Sequence, residues 1–354
     1  MRLLITGVCG FVGSQLAHAL KARHADLELL GIDNLMRRGS ETNLAPLGKL
    51  GCAVTHGDLR NPEDLAELPR CDWVLDCAAI PTVLAGVSSG ASQLVGHNLT
   101  GTLNLLEKCR VDGAGLVILS SSRVYSIDEL NAIPLVPEGS RFRLDDSRPA
   151  PGGFSARGVS ETFSTRAPVS LYGATKLAAE VMALEYGSAF GLPVWVDRCG
   201  VIAGPGQFGR IDQGIFSYWI YQWLLGKPLS YIGFGGRGEQ VRDLIAPVDL
   251  AALIDKQLRS PTAGAPRVVN AGGGVARSMS LAELSAFCAE NVGPAPALGR
   301  QAETRRYDIP YFVTDSALAE ASWDWAPQEP LTETLASILR WARAHRDLLS
   351  TFAQ

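Results

Sequence analysis

Short apolar runs alternate with stretches of helical spacing over the first 125 residues. Runs of strand length fall at 3–6, 27–32, 52–56, 73–77 and 116–119. Stretches with helical spacing lie at 11–21 and 94–110. Strands separated by helices imply a parallel sheet with right-handed crossovers, and continuously apolar strands imply a sheet covered on both faces. The pattern therefore predicts an α/β fold with a doubly wound parallel sheet of the Rossmann type. From 126 to 170 the alternation stops, and Pro134, Pro137, Pro149, Pro151 and Pro168 mark a long loop. A strong helix over 171–190 and a strand over 194–198 follow. The remainder mixes short strands with helices near 247–259, 279–291 and 331–347.

Composition narrows the classes without naming one. The chain has 354 residues, 32 Lys plus Arg against 36 Asp plus Glu, and 47% apolar residues. At roughly 150 residues per domain, that length is two units or one large α/β fold. A net charge of −4 lacks the basic footprint of a nucleic-acid binder. Seven scattered cysteines without CxxC, and five histidines without HxxxH, give neither a disulfide framework nor a metal site. The chain enters its first strand at once, leaving no room for a leader, and holds no apolar run long enough to span a bilayer. These features predict a soluble cytoplasmic protein with no membrane partner.

The turn after the first strand reads Thr6-Gly7-Val8-Cys9-Gly10-Phe11-Val12-Gly13 and opens a helix. Glycines in that context let backbone approach a pyrophosphate held on the helix N-terminus. The spacing is GxxGxxG, and a tight strand–helix turn without a ligand has the same signature. Asp33, followed by Asn34, ends the second strand 20 residues after Gly13. A carboxylate there accepts bonds from ribose hydroxyls and repels a 2′-phosphate, which favours NAD over NADP. Arg37 and Arg38 close behind read as solvated loop charges. Asp58, with Leu59 after the third strand, either faces the adenine or caps the next helix.

Tyr172-Gly173-Ala174-Thr175-Lys176 opens the strong helix. Residues four apart share a face, so phenol and ammonium point into the same space. A nearby cation favours the phenolate, and such a tyrosine can take a proton from an alcohol. The fifth strand ends in Ser120-Ser121-Ser122-Arg123-Val124-Tyr125, at the sheet edge where open α/β sheets bind ligands.

Together these features resemble the extended short-chain dehydrogenase/reductase family, the NAD-dependent nucleotide-sugar epimerases and dehydratases. The resemblance covers nearly the whole chain, including Ala78-Ala79, Asn98-Leu99-Thr100-Gly101-Thr102 and Gly238-Glu239-Gln240-Val241-Arg242-Asp243. It implies Ser121, Tyr172 and Lys176 as catalytic residues, with Lys176 also on the nicotinamide ribose. It implies cofactor contacts from Gly7, Gly10, Phe11, Val12, Gly13, Asp33, Asn34, Asp58, Leu59, Ala78, Ala79 and Asn98. Residues 1–198 would form the NAD-binding domain, with 126–170 inserted, and 199–354 a smaller, interleaved substrate lobe. Dehydratases of the family place Asp-Glu after the catalytic Ser/Thr; Ser122-Arg123 stands there here, which speaks against dehydration.

Within the family the chain resembles the CDP-paratose 2-epimerase (tyvelose epimerase) branch. The similar stretches are Ser-Ser-Arg-Val-Tyr, Gly206-Gln207-Phe208 leading to Asp212-Gln213-Gly214, and Gln240-Val241-Arg242-Asp243. The resemblance implies a nucleotide-diphosphate sugar substrate with Arg242 and Arg305 on the diphosphate, and Arg306 and Arg210 as weaker candidates. Ser122, Arg123 and Gln213 join the substrate set, while Gln207 and Asp212 either face the sugar or cap the helix after them. Val201, Ala203 and Ala246 depart from the residues common in relatives. Tyr125, Trp219 and Tyr231 read as core, and 126–170 as a lid over the sugar. A homodimer through 94–110 and 171–190 is implied as well. Two other functions fit the pattern: a UDP-sugar 4-epimerase, and a non-catalytic NAD-binding sensor or assembly protein. A sensor needs none of Ser121, Tyr172 and Lys176.

Overall fold

The computed structural model describes residues 1–87, 90–259 and 264–352. Seven strands form its central sheet: β1 (Arg2–Thr6), β2 (Glu28–Asp33), β3 (Ala53–His56), β4 (Trp73–Asp76), β5 (Gly115–Ser121), β6 (Val194–Cys199) and β7 (Val268–Ala271). Their order is β7-β6-β5-β4-β1-β2-β3, and every pairing is parallel. The order reverses between β1 and β4, so the carboxyl ends of these strands open a crevice there.

Alternation along the strands divides the apolar side chains between two covering layers. Leu3 and Ile5 pack under α1 (Phe11–Arg23) and α5 (Pro247–Arg259) with Leu16, Leu20, Leu250 and Ile254. Leu4, Leu116 and Ile118 pack under α2 (Gly101–Asp112) and α3 (Ser170–Phe190) with Leu105, Leu106, Ala179 and Ala183. The stretch expected as one helix over 94–110 has three parts. A short helix, Ser92–Val95, meets a π-helical turn, Gly96–Thr100, before α2 begins. The widened turn carries Asn98.

A second core joins α4 (Ile215–Leu224), α6 (Leu281–Asn291) and α7 (Leu331–Ala344) around Phe216, Trp219, Ile220, Leu284, Ile338 and Leu339. A small sheet of Val201–Ile202, Val241–Ile245, Ser278–Ser280 and Tyr311–Phe312 lies beside it. Helix α6 starts at 281 rather than 279 because Ser280 and Glu283 form a capping box there. The segment after residue 199 is threaded through both cores: β7, α5, Ala319, Trp323 and Trp325 belong to the first.

Residues 126–170 are not the single loop expected. They hold a helical turn, Ile127–Asn131, and two hairpins, Leu135–Glu138 with Arg141–Leu144 and Phe154–Ser155 with Gly158–Val159. A separate cluster anchors them, built from Val124, Tyr125, Ile127, Leu130, Phe163, Ile309 and Phe312.

Candidate active site

The glycine turn is shaped by close backbone approach. Gly7 has φ +58°, and Gly10 N–H donates to its carbonyl at 2.9 Å. A Cβ on Gly13 would run into the Gly7 carbonyl, and one on Gly7 would press on the Ala78 backbone. Gly10 heads α1 without a side-chain cap, and the first turn carries no acid, so the helix N-terminus is left to an external anion. Thr6 Oγ1 donates to Asp76 at 2.6 Å and accepts from Cys77 and Ala78 N–H, which ties the loop after β4 to β1.

Asp33 accepts from Cys9 N–H at 2.9 Å and Leu35 N–H at 2.8 Å, fixing its carboxylate at the rim of the turn. Asn34 donates to Asp58 at 2.9 Å, and Arg60 grips the same carboxylate, holding it well below the usual range. Asn61 rather than Asp58 heads the following helix, so the capping alternative for Asp58 fails. Leu59 packs into the α2–α3 layer, and its carbonyl accepts from Asn104. Asn98 is buried; its side chain bonds both backbone groups of Ile80 and Thr175 Oγ1. It positions the Ala78–Ala79 loop rather than lining the cavity. Arg37 is not the solvated charge expected: it is half-buried and donates to Phe208 O, while exposed Arg38 lies over the Phe352 ring.

A cavity of about 330 Å³ opens where β5, β6 and the second core meet. Ser121, Ser122, Arg123, Tyr172, Lys176, Gln207, Asp212, Gln213, Arg242 and Arg305 all line it, with Val12, Cys77 and Ala79 on the side of the glycine turn. Lys176 is buried and donates to Leu119 O at 2.9 Å, which hangs its ammonium from the end of β5. One turn on, Glu180 forms a buried ion pair with Arg198 at 2.7 Å and accepts a bond from Ser120. Residues 172, 176 and 180 share a face of α3, so this pair fixes the helix against β5 and β6. Ser121 Oγ accepts from Arg123 N–H at 3.2 Å.

Gln207 donates to Ile202 O at 3.0 Å and accepts from Ser217 at 2.9 Å, while Asp212 accepts a bond from Thr82. Neither caps α4, which Gly214 heads. Arg242 donates to Val241 O and Ile309 O, both at 2.7 Å; burial and the neighbouring Arg123 charge push its guanidinium down to about 9. Arg305 is half-buried. Exposed Arg306 and Arg210 do not line the cavity. Among the described residues none from 126–170 lines it either. That segment stands behind the wall, with Phe142 edge-on to the lining Phe234, so the lid expectation is not met.

Tyr125 is core, its hydroxyl on Asn270 at 2.6 Å. Trp219 stacks on Tyr231 at 5.4 Å and lines the cavity as well. Sequence reasoning missed Tyr307, Asp308 and Gln240 as lining residues. Gln240 was findable, since it stands two before Arg242, immediately ahead of the strand Val241–Ile245, and extended chain puts such residues on one side. Its Oε1 is buried without a partner among the described residues. Among these residues no cluster of three His, Cys, Asp or Glu could hold a metal, and no helix is long and apolar enough to cross a membrane.

Known proteins are similar to this chain along nearly its whole length. The CDP-paratose 2-epimerase of Salmonella typhi is 29% identical over 349 residues, spanning 96% of this chain and 99% of that one. UDP-glucuronate 4-epimerase 4 of Arabidopsis thaliana is 26% identical, spanning 96% and 74%. The solved UDP-glucose 4-epimerase of Thermus thermophilus, a complex with NAD, superposes with a TM-score of 0.75 at 28% identity, covering 97% of this chain and 99% of that one. Residues 3–272 match the family model described as the NAD dependent epimerase/dehydratase family, and that span holds both the glycine turn and the Ser121–Tyr172–Lys176 wall; the chain belongs to this family of enzymes.

Proposed function

We propose that the chain is a nucleotide-sugar 2-epimerase of the CDP-paratose/CDP-tyvelose type. The observation that carries the reading is one cavity that joins Ser121, Tyr172 and Lys176 to Arg242 and Arg305. In this reading the proton-transfer wall and the diphosphate grip act on one ligand. The match to a CDP-paratose 2-epimerase over nearly its whole length supports the choice of carbon. Ser122-Arg123, in place of an acid pair, supports epimerisation over dehydration.

The residues of the first-strand crevice fit NAD: the glycine turn leaves room only for backbone, and the uncapped α1 start faces it. When bound, NAD supplies the reversible two-electron oxidation of the sugar carbinol. Tyr172 takes the hydroxyl proton as the carbinol becomes a ketone and returns it when the ketone is reduced from its other face. Ser121 hydrogen-bonds the reacting oxygen, and Lys176 keeps positive charge beside the phenol. Arg242 and Arg305 hold the diphosphate while the sugar turns over.

The test is turnover of a panel of CDP- and UDP-sugars in deuterated water, with product stereochemistry read by NMR. Inversion at C2 without deuterium at that carbon is expected. Deuterium there would mean enolisation and overturn the mechanism. Inversion at C4 of a UDP-sugar would move the enzyme to the reading favoured by its likeness to UDP-glucuronate 4-epimerases. A homodimer through α2 and α3, where Val181 and Phe190 are exposed, and a cytoplasmic location belong to the same reading.

A further inference from the structure

Two half-buried guanidinium groups stand in the cavity wall without a carboxylate partner. Arg123 donates to Tyr307 O at 3.3 Å, and Arg242 donates to Val241 O and Ile309 O. Among the described residues neither forms an ion pair. Desolvation weakens the hold of both on their protons, and the Arg123 charge weakens that of Arg242 further; Asp308 attracts both without forming an ion pair, with smaller pulls from Asp243 on Arg242 and from Tyr172 on Arg123. The contrast lies one strand away, where buried Arg198 is matched by Glu180. Desolvated like charges are costly unless a counter-charge arrives, so this part of the wall is built for an anion.

Arg123 is also held against the proton-transfer wall. The turn of Ser122–Val124 lies under the first turn of α3, so close that a Cβ on Gly173 would run into the Arg123 carbonyl. The Arg123 guanidinium is also within electrostatic reach of the Tyr172 phenol, so an anion drawn to Arg123 sits beside Tyr172. In a nucleotide-diphosphate sugar, the negative charge next to the ring is the phosphoryl group on the anomeric carbon. C2 is bonded to that carbon, whereas C4 lies across the ring.

We propose that Arg123, acting with Arg242, grips the phosphoryl group attached to the anomeric carbon and thereby brings C2 to Tyr172. Arg123 is then the residue that selects the carbon. This deepens the function proposed above and rests on it for the substrate class. A guanidinium suits the role because its planar fork meets two phosphate oxygens. Most of its N–H donors stay available to a ligand when one bonds Tyr307.

The experiment uses the purified holoenzyme and four probes: CDP, CMP, UDP and UMP, titrated by calorimetry. Each diphosphate carries the second phosphoryl group and each monophosphate lacks it. In the unaltered protein the diphosphates bind more tightly. Arg123→Gln is expected to weaken CDP and UDP by about 10- to 100-fold and to leave CMP and UMP unchanged. Arg123→Lys, which keeps the charge but loses the fork, is expected to recover part of the loss. An unchanged ratio of diphosphate to monophosphate affinity in Arg123→Gln overturns the proposal. Equal weakening of all four probes also overturns it, because the loss is then not specific to the second phosphoryl group. Thermal unfolding of both variants checks that they fold. The NMR assay above is separate: inversion at C4 by the unaltered enzyme would sink the 2-epimerase reading and the carbon choice together, while the binding ratio still reports on the phosphoryl grip.

Discussion

Asp197 lies on β6 with no exposure, facing α5. Gln257 Nε2 donates to its Oδ1 at 2.7 Å, while Asp197 Oδ2 and Gln257 Oε1 are both buried without partners among the described residues. A neutral carboxyl fits that geometry, because a proton on Oδ2 can serve the Gln257 carbonyl. Burial pushes the acid up to about 7, against roughly 3.9 in an unfolded chain. The folded state thus binds this proton more tightly than the unfolded state. The contribution to stability is complete below about pH 4 and is lost as the pH climbs to about 7. About three pKa units correspond to a loss on the order of 4 kcal/mol. Asp197→Asn cannot ionise, and its Nδ2 takes the place of the orphaned Asp197 oxygen and can donate to the orphaned Gln257 Oε1. In urea unfolding the variant should match the parent near pH 4.5 to within about 1 kcal/mol and exceed it by a few kcal/mol near pH 8. Other carboxylates titrate equally in both proteins, so the difference isolates this one. A gap that is the same at both pH values, or a variant less stable near pH 8, would refute the argument.

Two further outcomes follow from the site. Tyr172→Phe should lower turnover by about 10²- to 10⁴-fold while the cofactor stays bound, as read by absorbance and by a single-turnover assay; unchanged turnover would remove Tyr172 from the chemistry. Glu180→Ala leaves Arg198 buried and unpaired and should cost about 3–5 kcal/mol in denaturant unfolding. A loss under about 1 kcal/mol would show that the pair does not anchor α3.

The cofactor half was legible because its signals are local. The glycine turn, Asp33 and the Tyr172–Lys176 spacing each lie within one turn or one strand end, and the apolar runs gave five of the sheet strands before residue 125. The substrate half was less so. The short run Val268–Ala271 gave no sign that it returns to the central sheet as β7, since pairing with β6 is decided by tertiary contact. Prolines made 126–170 read as loop, yet hairpins tolerate them at exposed edges, as Pro137 does. The meeting of Arg123 with Arg242 has no sequence signal at all, because it depends on how the two cores close on each other. Even Arg37, read as a surface charge, is drawn inward by Phe208 O across the crevice.

The threading of the chain constrains how the enzyme can admit its ligand. From β6 the backbone goes out to Val201–Ile202, comes back through α5 and β7, leaves for Ser278–Ser280, returns with Ala319 and Trp323, and departs again into α7. A body stitched that many times cannot swing open like a door on one strap. Uptake and release must instead use small sliding of packed helices, a shear of ångström scale, so distance probes across the crevice should record a narrow distribution with or without nucleotide sugar.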